Sequence, residues 1–470
     1  MEERERLRRS ARSSSVSIRI HPCPSVVRNQ MTSSQVLDLL RCYESRNVTL
    51  IERDGSWPMV WERAKGVHVW DAEGNKYLDL TAAFGVAAAG HANPRVVRAG
   101  QQQMAKLLHA MGDVHPHALK ATLARELSRL TFERWSRIAH HAPRTAAKTI
   151  FCNSGFEAVE AALKTAMLAT GRRGVIAFEG AYHGVGYGAL NATHRAHFRG
   201  PFVSQLREFG HFVPFPTLGR SRRKEELTSI APRIRQVFRR HPIGAILVEP
   251  VQGRGGVRIP PPEFLPMLRR LCNEHGALLI LDEIYTGFGR TGAWFACEHS
   301  GVVPDLICLG KALAGGFPLS ACVGRADLMD KAWPESSGEA IHTSTFLGHP
   351  VGCAMALAQI GEIQRLRLPE RSRRLGKSLL TQLHALEAPN LKLAARGSGL
   401  MAGLELLRPN GTPATTHALG IIKRLLHRGF ILLPEGEHSN VISFTPPLTI
   451  TESHLRRAVR AVGEELRRRP

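Results

Sequence analysis

The apolar residues of this chain fall into short unbroken runs separated by longer amphipathic stretches. Thr149 to Cys152, Gly174 to Phe178, Ala245 to Val248, Leu278 to Leu281 and Leu306 to Leu309 are brief and mostly aliphatic. Runs of that length without polar alternation are expected of strands buried on both faces of a parallel sheet. The stretch after Cys152, NSGFEAVEAALKTAMLAT, has the period of a helix, with Glu157 and Glu160 in its early turns. Strands alternating with helices predict an α/β fold. Before them, a short helix from Gln35 leads into GVHVWDAEGNKYLDL, two strands around a turn at Ala72 to Lys76. From about Val351 helices and strands alternate again. The last helix sets Leu455, Ala458, Val459, Val462 and Leu466 on one face.

The ends of the apolar runs carry the chemistry. Asp282 closes the run from Leu278, and Lys311 follows the run from Leu306 by two residues, ahead of Gly315 and Gly316. Ligands of open α/β sheets collect outside the carboxyl ends of the strands, so both side chains stand where a site is expected. A carboxylate and an amine offered to one pocket suit pyridoxal phosphate: the lysine forms a Schiff base with the aldehyde, and the aspartate pairs with the pyridinium nitrogen. Alone, the lysine would read as a solvated surface residue and the aspartate as a helix cap. At Cys152 a strand passes through Asn153, Ser154 and Gly155 into a helix, whose free N–H groups point at an anion such as a phosphate.

LDEIYTGFGRTG and LGKALAGGFPLSA closely resemble the signature of the class III pyridoxal-phosphate aminotransferases, the group of acetylornithine, ornithine and 4-aminobutyrate enzymes. The resemblance extends from about Tyr77 to the C-terminus through several motifs in the family's order. It implies the type I pyridoxal-phosphate transferase fold: a large domain with a mostly parallel seven-stranded sheet, and a small α+β domain built from both termini. The implied cofactor is pyridoxal 5'-phosphate, with Lys311 and Asp282 catalytic. NSGFEA resembles the family's phosphate-binding turn and carries that role to Ser154, Gly155 and Phe156. EGAYHGVGYG places Tyr182 against the cofactor ring, followed by His183. EPVQGRGG sets Glu249 and Gln252 near the cofactor edge, and Tyr285 stands where many members have a glutamine reaching the phenolic oxygen. IHTSTFLGHP carries over Thr345 as a phosphate ligand from the neighbouring subunit, which implies a homodimer with shared active sites. ARGSGL places Arg396 as a clamp for the substrate α-carboxylate, a task its planar fork suits. In LTAAFGVAAAGHANP, resembling the substrate-entry segment, Phe84 is expected as a pocket wall.

Two positions depart from the pattern. Val185 stands where acetylornithine and 4-aminobutyrate enzymes usually carry a carboxylate-reading arginine, and Arg254 stands where ω-amino-acid enzymes often carry glutamate. A cation lost at one place and gained at the other gives the expectation that Arg254 meets a distal anionic group of the substrate. The GFGRTG segment, Gly287 to Gly292, is neither a Rossmann nor a P-loop motif, since it follows an acidic strand end and lacks G-K-[ST].

Composition adds bounds. The 470 residues suffice for about three average domains. The division expected is a disordered extension over 1–31, the N-terminal part of the small domain over 32–95, the large cofactor-binding domain over 96–350, and the C-terminal small domain over 351–470. The extension is rich in Arg and Ser and lacks the apolar core of a secretory signal. A hydrophobic fraction of 43% against 22% charged is ordinary for a globular protein. No apolar run reaches the roughly 18 residues of a membrane helix, so no membrane association is expected. The formal charge is +23, yet the basic residues are scattered among Glu and Leu with no aromatic-interleaved stripe. Attraction of anionic substrates is therefore expected rather than nucleic-acid binding. Eight cysteines occur singly without C-x-x-C spacing, which argues against a metal site and for free thiols in a reducing cytoplasm. The reaction expected is transamination between an amino acid or ω-amine donor and a 2-oxo acid such as 2-oxoglutarate or pyruvate. An aminomutase or decarboxylase using the same lysine and aspartate is the first alternative, and a non-enzymatic, basic nucleic-acid-binding protein, suggested by charge alone, is the second.

Overall fold

The computed structural model describes residues 31–138, 146–216 and 223–468. The extension expected over 1–31 lies outside them except for Met31. After a helix at Ser33–Tyr43, strands β1 (Trp61–Lys65), β2 (His68–Asp71) and β3 (Lys76–Asp79) form an antiparallel meander. The β2–β3 turn closes on Asp71, whose carboxylate accepts hydrogen bonds from the Asn75 backbone and the Tyr77 hydroxyl at 2.7 and 2.8 Å.

The central sheet holds β4 (Ala147–Cys152), β5 (Gly174–Phe178), β6 (Gly210–Val213), β7 (Ile243–Val248), β8 (Leu278–Asp282), β9 (Leu306–Leu309) and β10 (Ser320–Arg325). Its order is β4-β10-β9-β8-β7-β5-β6. From β9 across to β6 all neighbours are parallel, while β10 runs antiparallel to both β4 and β9. The connection 310–319 is too short for the crossover that a parallel return needs, so the chain reverses into β10. Every residue of β5, β7 and β9 is buried. Helices cover the sheet, which explains why these strands read as unbroken apolar runs.

The C-terminal part forms an antiparallel sheet of β11 (Lys392–Ser398), β12 (Met401–Leu407), β14 (Leu433–Glu435) and β15 (Val441–Phe444), in the order β11-β12-β15-β14. Between them β13 (Phe430–Ile431) leaves this sheet and pairs in parallel with β3, Phe430 opposite Leu78. The final helix, Glu452–Arg467, buries Leu455, Ala458, Val459, Val462 and Leu466, the face its periodicity predicts. Among the described residues no helix is long and apolar enough to cross a membrane.

Candidate active site

In the parallel part of the sheet β8 and β9 lie side by side, with Asp282 opposite Cys308. Asp282 therefore ends its strand one position away from the place where β9 gives way to Gly310 and Lys311. Lys311 adopts φ +41°, a left-handed backbone that costs a non-glycine residue on the order of 1 kcal/mol. Its side chain is carried into a cavity of about 290 Å³ that Asp282 also lines. The Lys311 ammonium stands 4.7 Å from the ring centroid of Tyr285. Burial pushes its pKa below the ordinary lysine value, against the opposing pull of Asp282, Glu249 and Glu435.

The carboxylates are held by backbone N–H groups and, at Asp282, by a histidine. One Asp282 oxygen meets His183 Nδ1 at 2.8 Å, and the other accepts the Ile284 N–H at 3.1 Å. His183 is itself fixed: its N–H donates to the Thr193 hydroxyl, which donates in turn to the Gly184 carbonyl. The far ring nitrogen, Nε2, is buried without a partner. Glu249, at the end of β7, accepts the N–H groups of Tyr182 and Gly253 at 3.1 and 2.9 Å. Burial raises its pKa to about 7; His183 acts against this and Asp282 adds to it. This carboxylate ties the Tyr182 loop to the glycine-rich turn after β7.

At the other end of the cavity, the helix Gly155–Thr170 begins where β4 stops. The Glu157 carboxylate takes the N–H groups of Asn153 and Ser154, at 2.6 and 3.0 Å. The Ser154 hydroxyl is left buried and unpartnered. Gly155 and Phe156 line the cavity beside it, their N–H groups among the first of the helix, which have no intrahelical acceptor. Phe156 packs under the loop after His183, close enough that a Cβ on Gly184 would lie 2.3 Å from its own Cβ.

Lys311, Asp282, Gly155, Phe156, Tyr182, His183, Glu249, Tyr285 and Arg254 thus come together around one cavity, and Ser154 precedes Gly155 in the chain. Four expected site residues stand elsewhere or face another way. Arg396 is outside the cavity, and its donors are committed. Its Nε reaches the carbonyls of Gly256 and Val257 at 3.1 and 3.0 Å, one terminal nitrogen reaches Gly256 at 2.6 Å, and the other pairs with Glu405 at 2.6 Å. Expected as a carboxylate clamp, Arg396 grips the turn at Gly256 and Val257 here, where φ is +106° and +51°. The Tyr285 hydroxyl is turned to Thr445 Oγ1 at 3.1 Å, so its ring rather than its hydroxyl faces Lys311. Phe84 is 52% exposed, in the left-handed turn Ala82–Gly85. Its turn packs beside the short helix Lys311–Leu313. Thr345 is exposed too, next to Ser344, whose hydroxyl lies 3.5 Å from the Asn153 amide.

Two residues at the site have no place in the motifs. Glu435, 2% exposed at the end of β14, pairs with Arg254 at 3.4 Å. It follows the apolar run ILLP just as Asp282 and Glu249 follow theirs, a signal that was there to read. Arg195, in the loop after Thr193, is attached by one bond to the Gly436 carbonyl. Nothing local in the sequence marks it.

Comparison with known proteins agrees with this geometry. The family described as aminotransferase class-III matches residues 51–465. A 5-aminovalerate aminotransferase of Pseudomonas aeruginosa is 37% identical over 412 residues, 87% of this chain and 93% of the relative. A putrescine aminotransferase of Pectobacterium atrosepticum is 38% identical over 423 residues, covering 88% and 84% respectively. Among solved structures, the pyridoxal-phosphate-bound amine transaminase of an uncultivated Pseudomonas species superposes with a TM-score of 0.81. It is 28% identical, and the match covers 90% of this chain and 98% of that one.

Proposed function

The chain belongs to the class-III aminotransferases, enzymes of pyridoxal-phosphate-dependent transamination, and from that premise we propose how its residues divide the work and what it takes as substrate. The residues present fit the cofactor. Ser154 Oγ and His183 Nε2 are buried polar atoms lacking partners, and Lys311 and Asp282 share the cavity beside them. When bound, the cofactor supplies an aldehyde that carries the amino group and a ring that accepts the electron pair of the substrate's reacting carbon.

Lys311 holds the cofactor at that aldehyde between turnovers. Released by an incoming amine, it would take the proton from the substrate carbon and give it back; burial disfavours its charge, against the pull of Asp282, Glu249 and Glu435. Asp282 would accept the hydrogen bond of the ring nitrogen, and His183 fixes that carboxylate. The N–H groups of Gly155 and Phe156, with the Ser154 hydroxyl, bind the phosphate at the helix N-terminus. Tyr182, which lines the cavity, would stack on the ring face. Glu249 positions the Tyr182 loop, and the Tyr285 ring packs behind Lys311. Phe84, in the turn beside Lys311–Leu313, walls the substrate entry, and Thr345 acts across a homodimer, on the phosphate of the opposite site. Exposed Leu108, Met111, Val114, Ile341 and Phe346 support such an interface.

The donor is an amino acid or ω-amine and the acceptor a 2-oxo acid such as 2-oxoglutarate or pyruvate. The relatives named for 5-aminovalerate and putrescine support a donor whose amine is terminal. Val185 lines the cavity without a charge, so recognition of an anion falls to Arg254. A cytoplasmic setting is part of the reading, supported by Cys152, Cys272, Cys297, Cys308, Cys322 and Cys353, all buried free thiols. The observation that carries the proposal is the burial of Lys311 in one cavity with Asp282. The test is the absorbance of the cofactor-loaded protein during addition of ornithine, acetylornithine, 4-aminobutyrate, 5-aminovalerate, putrescine, lysine and alanine, one at a time. One donor should bleach the band of lysine-bound cofactor, and a 2-oxo acid should restore it. No band, or the same band from Lys311→Ala, would overturn the assignment; bleaching that is never restored by a 2-oxo acid would favour a mutase or decarboxylase.

A further inference from the structure

Arginine side chains in this region divide into two kinds. Arg396 spends its donors on carbonyls and on Glu405, and the buried Arg290 donates to the carbonyls of Leu400 and Pro446. Arg195 and Arg254 are different. Arg254 makes one long contact, 3.4 Å to Glu435, and Arg195 makes one at 3.3 Å to the Gly436 carbonyl. Among the described residues no other hydrogen bond or ion pair engages either guanidinium, so most of their five N–H donors each are unspent.

The two are brought together by the same glycine. Gly436 accepts from Arg195, and its N–H donates to the Arg254 carbonyl at 3.1 Å. They also flank one aromatic pair. Arg254 lies 5.9 Å from the centroid of Tyr182, Arg195 lies 5.3 Å from that of Phe198, and the two rings meet at 5.1 Å. Tyr182 and Arg254 line the cavity that holds Lys311. The charges do not balance. One buried carboxylate, Glu435, faces two guanidiniums, and its second oxygen has no partner. Glu437, the other acid acting on Arg195, is exposed, where water and salt screen it. Burial, and then the charge of Arg254, presses the Arg195 guanidinium below the usual arginine range, as expected of a cation short of a counter-ion.

We propose that Arg195 and Arg254 form a two-guanidinium subsite for the distal carboxylate of a dicarboxylic 2-oxo acid and of the amino acid made from it, with Glu435 as the counter-ion that occupies Arg254 when the substrate carries no such group. The planar forks suit a carboxylate, and the second guanidinium supplies the positive charge that Glu435 leaves uncompensated. The choice of ligand rests on the transamination proposed above. Arg195 thereby becomes a specificity-determining residue outside every motif of the sequence.

The test uses the cofactor-loaded full chain and two unreactive probes, glutarate and butyrate, which differ by one carboxylate. Binding is read by the shift in thermal midpoint and by competition against a 2-oxo acid. Wild type should bind glutarate about tenfold or more tighter than butyrate, the scale of charge-assisted hydrogen bonds. Arg195→Met should remove most of that advantage and leave butyrate unchanged, Arg195→Lys should restore part of it, and Glu435→Gln should tighten glutarate. Equal binding of the two probes by wild type would overturn the subsite, as would an equal loss for both in Arg195→Met. The cofactor's absorbance in the same samples separates the two readings: a missing band of lysine-bound cofactor counts against Lys311, whereas the glutarate-to-butyrate ratio decides the arginine pair.

Discussion

A buried carboxylate at the end of a strand is costly unless something claims its charge, and Glu249 shows the cost. Its pKa rises from the model-compound 4.5 to about 7 because burial outweighs the two N–H groups it accepts. A carboxyl that binds its proton more tightly folded than unfolded contributes stability that is complete below about pH 4.5 and is lost as pH rises through 7. Glu249→Gln removes that dependence. In cofactor-free protein, wild type should therefore lose on the order of 3 kcal/mol relative to Glu249→Gln between pH 5 and pH 8, measured by urea unfolding. A gap that stays constant with pH would show the carboxylate to be no better protonated folded than unfolded. Legibility at this scale followed position. Asp282, Glu249 and Lys311 were readable because each ends or follows an apolar run, where sheet topology puts ligands. The bonds of Arg396 could not be read because its acceptors, Gly256 and Val257, lie far away in sequence, and no local pattern tells a carbonyl-bound arginine from a free one. Arg195 was invisible for the same reason.

At the scale of elements, the site depends on turns that permit close approach. Gly184 has φ +110°, and a Cβ there would fall 2.3 Å from Phe156 Cβ. Gly184→Ala must therefore push the Tyr182–His183 loop away from the helix Gly155–Thr170. The expected result is a loss of roughly 2–4 kcal/mol of stability, from strain and overpacking together, with weakened cofactor binding. Gly171 gives the contrast. It closes the same helix at φ +67° with nothing within 4 Å, so Gly171→Ala should cost about 1 kcal/mol and leave cofactor affinity unchanged. Denaturant midpoints with cofactor titrations compare the pair. Arg396→Met tests the other turn. Loss of its bonds to Gly256 and Val257 should lower the thermal midpoint and slow turnover of every donor alike, whereas a selective rise in KM for carboxylate-bearing donors would reinstate Arg396 as their clamp. The fully buried strands were legible from unbroken apolar runs. Strand β6, GHFV, was not, because it is short, half-exposed and partly polar. Strand β10 does have the apolar character, but its direction follows from the length of the link before it, not from its own residues.

The whole molecule raises the question of how many chains complete a site. The pairing of β13 with β3 brings residue 430 beside residue 78, a contact that apolar pattern alone does not foretell because loops carry no record of where their ends meet. The surface formed by 107–114 and 341–346 has the same character. His109 meets the edge of Phe346 at 5.4 Å, and Leu108, Val114 and Ile341 are 60, 63 and 80% exposed. Exposed apolar side chains gathered on two neighbouring segments are costly in a monomer and are relieved by a second copy. Thr345 lies within it, exposed to solvent in the single chain. If Thr345 serves the opposite subunit, Lys311→Ala and Thr345→Ala are defects in different parts of each shared site. In a mixed dimer, one site combines both losses, while the other receives Lys311 from one chain and Thr345 from its partner, both intact. Mixing the two variants under conditions that exchange subunits should therefore recover up to half the wild-type activity per heterodimer, with wild-type cofactor affinity at the recovered site. If Thr345 serves its own chain, every heterodimer carries one site without lysine and one without threonine, and no site of native affinity can appear. Cofactor titration of the exchanged mixture separates the two outcomes, and sedimentation of the unmixed protein should show a dimer.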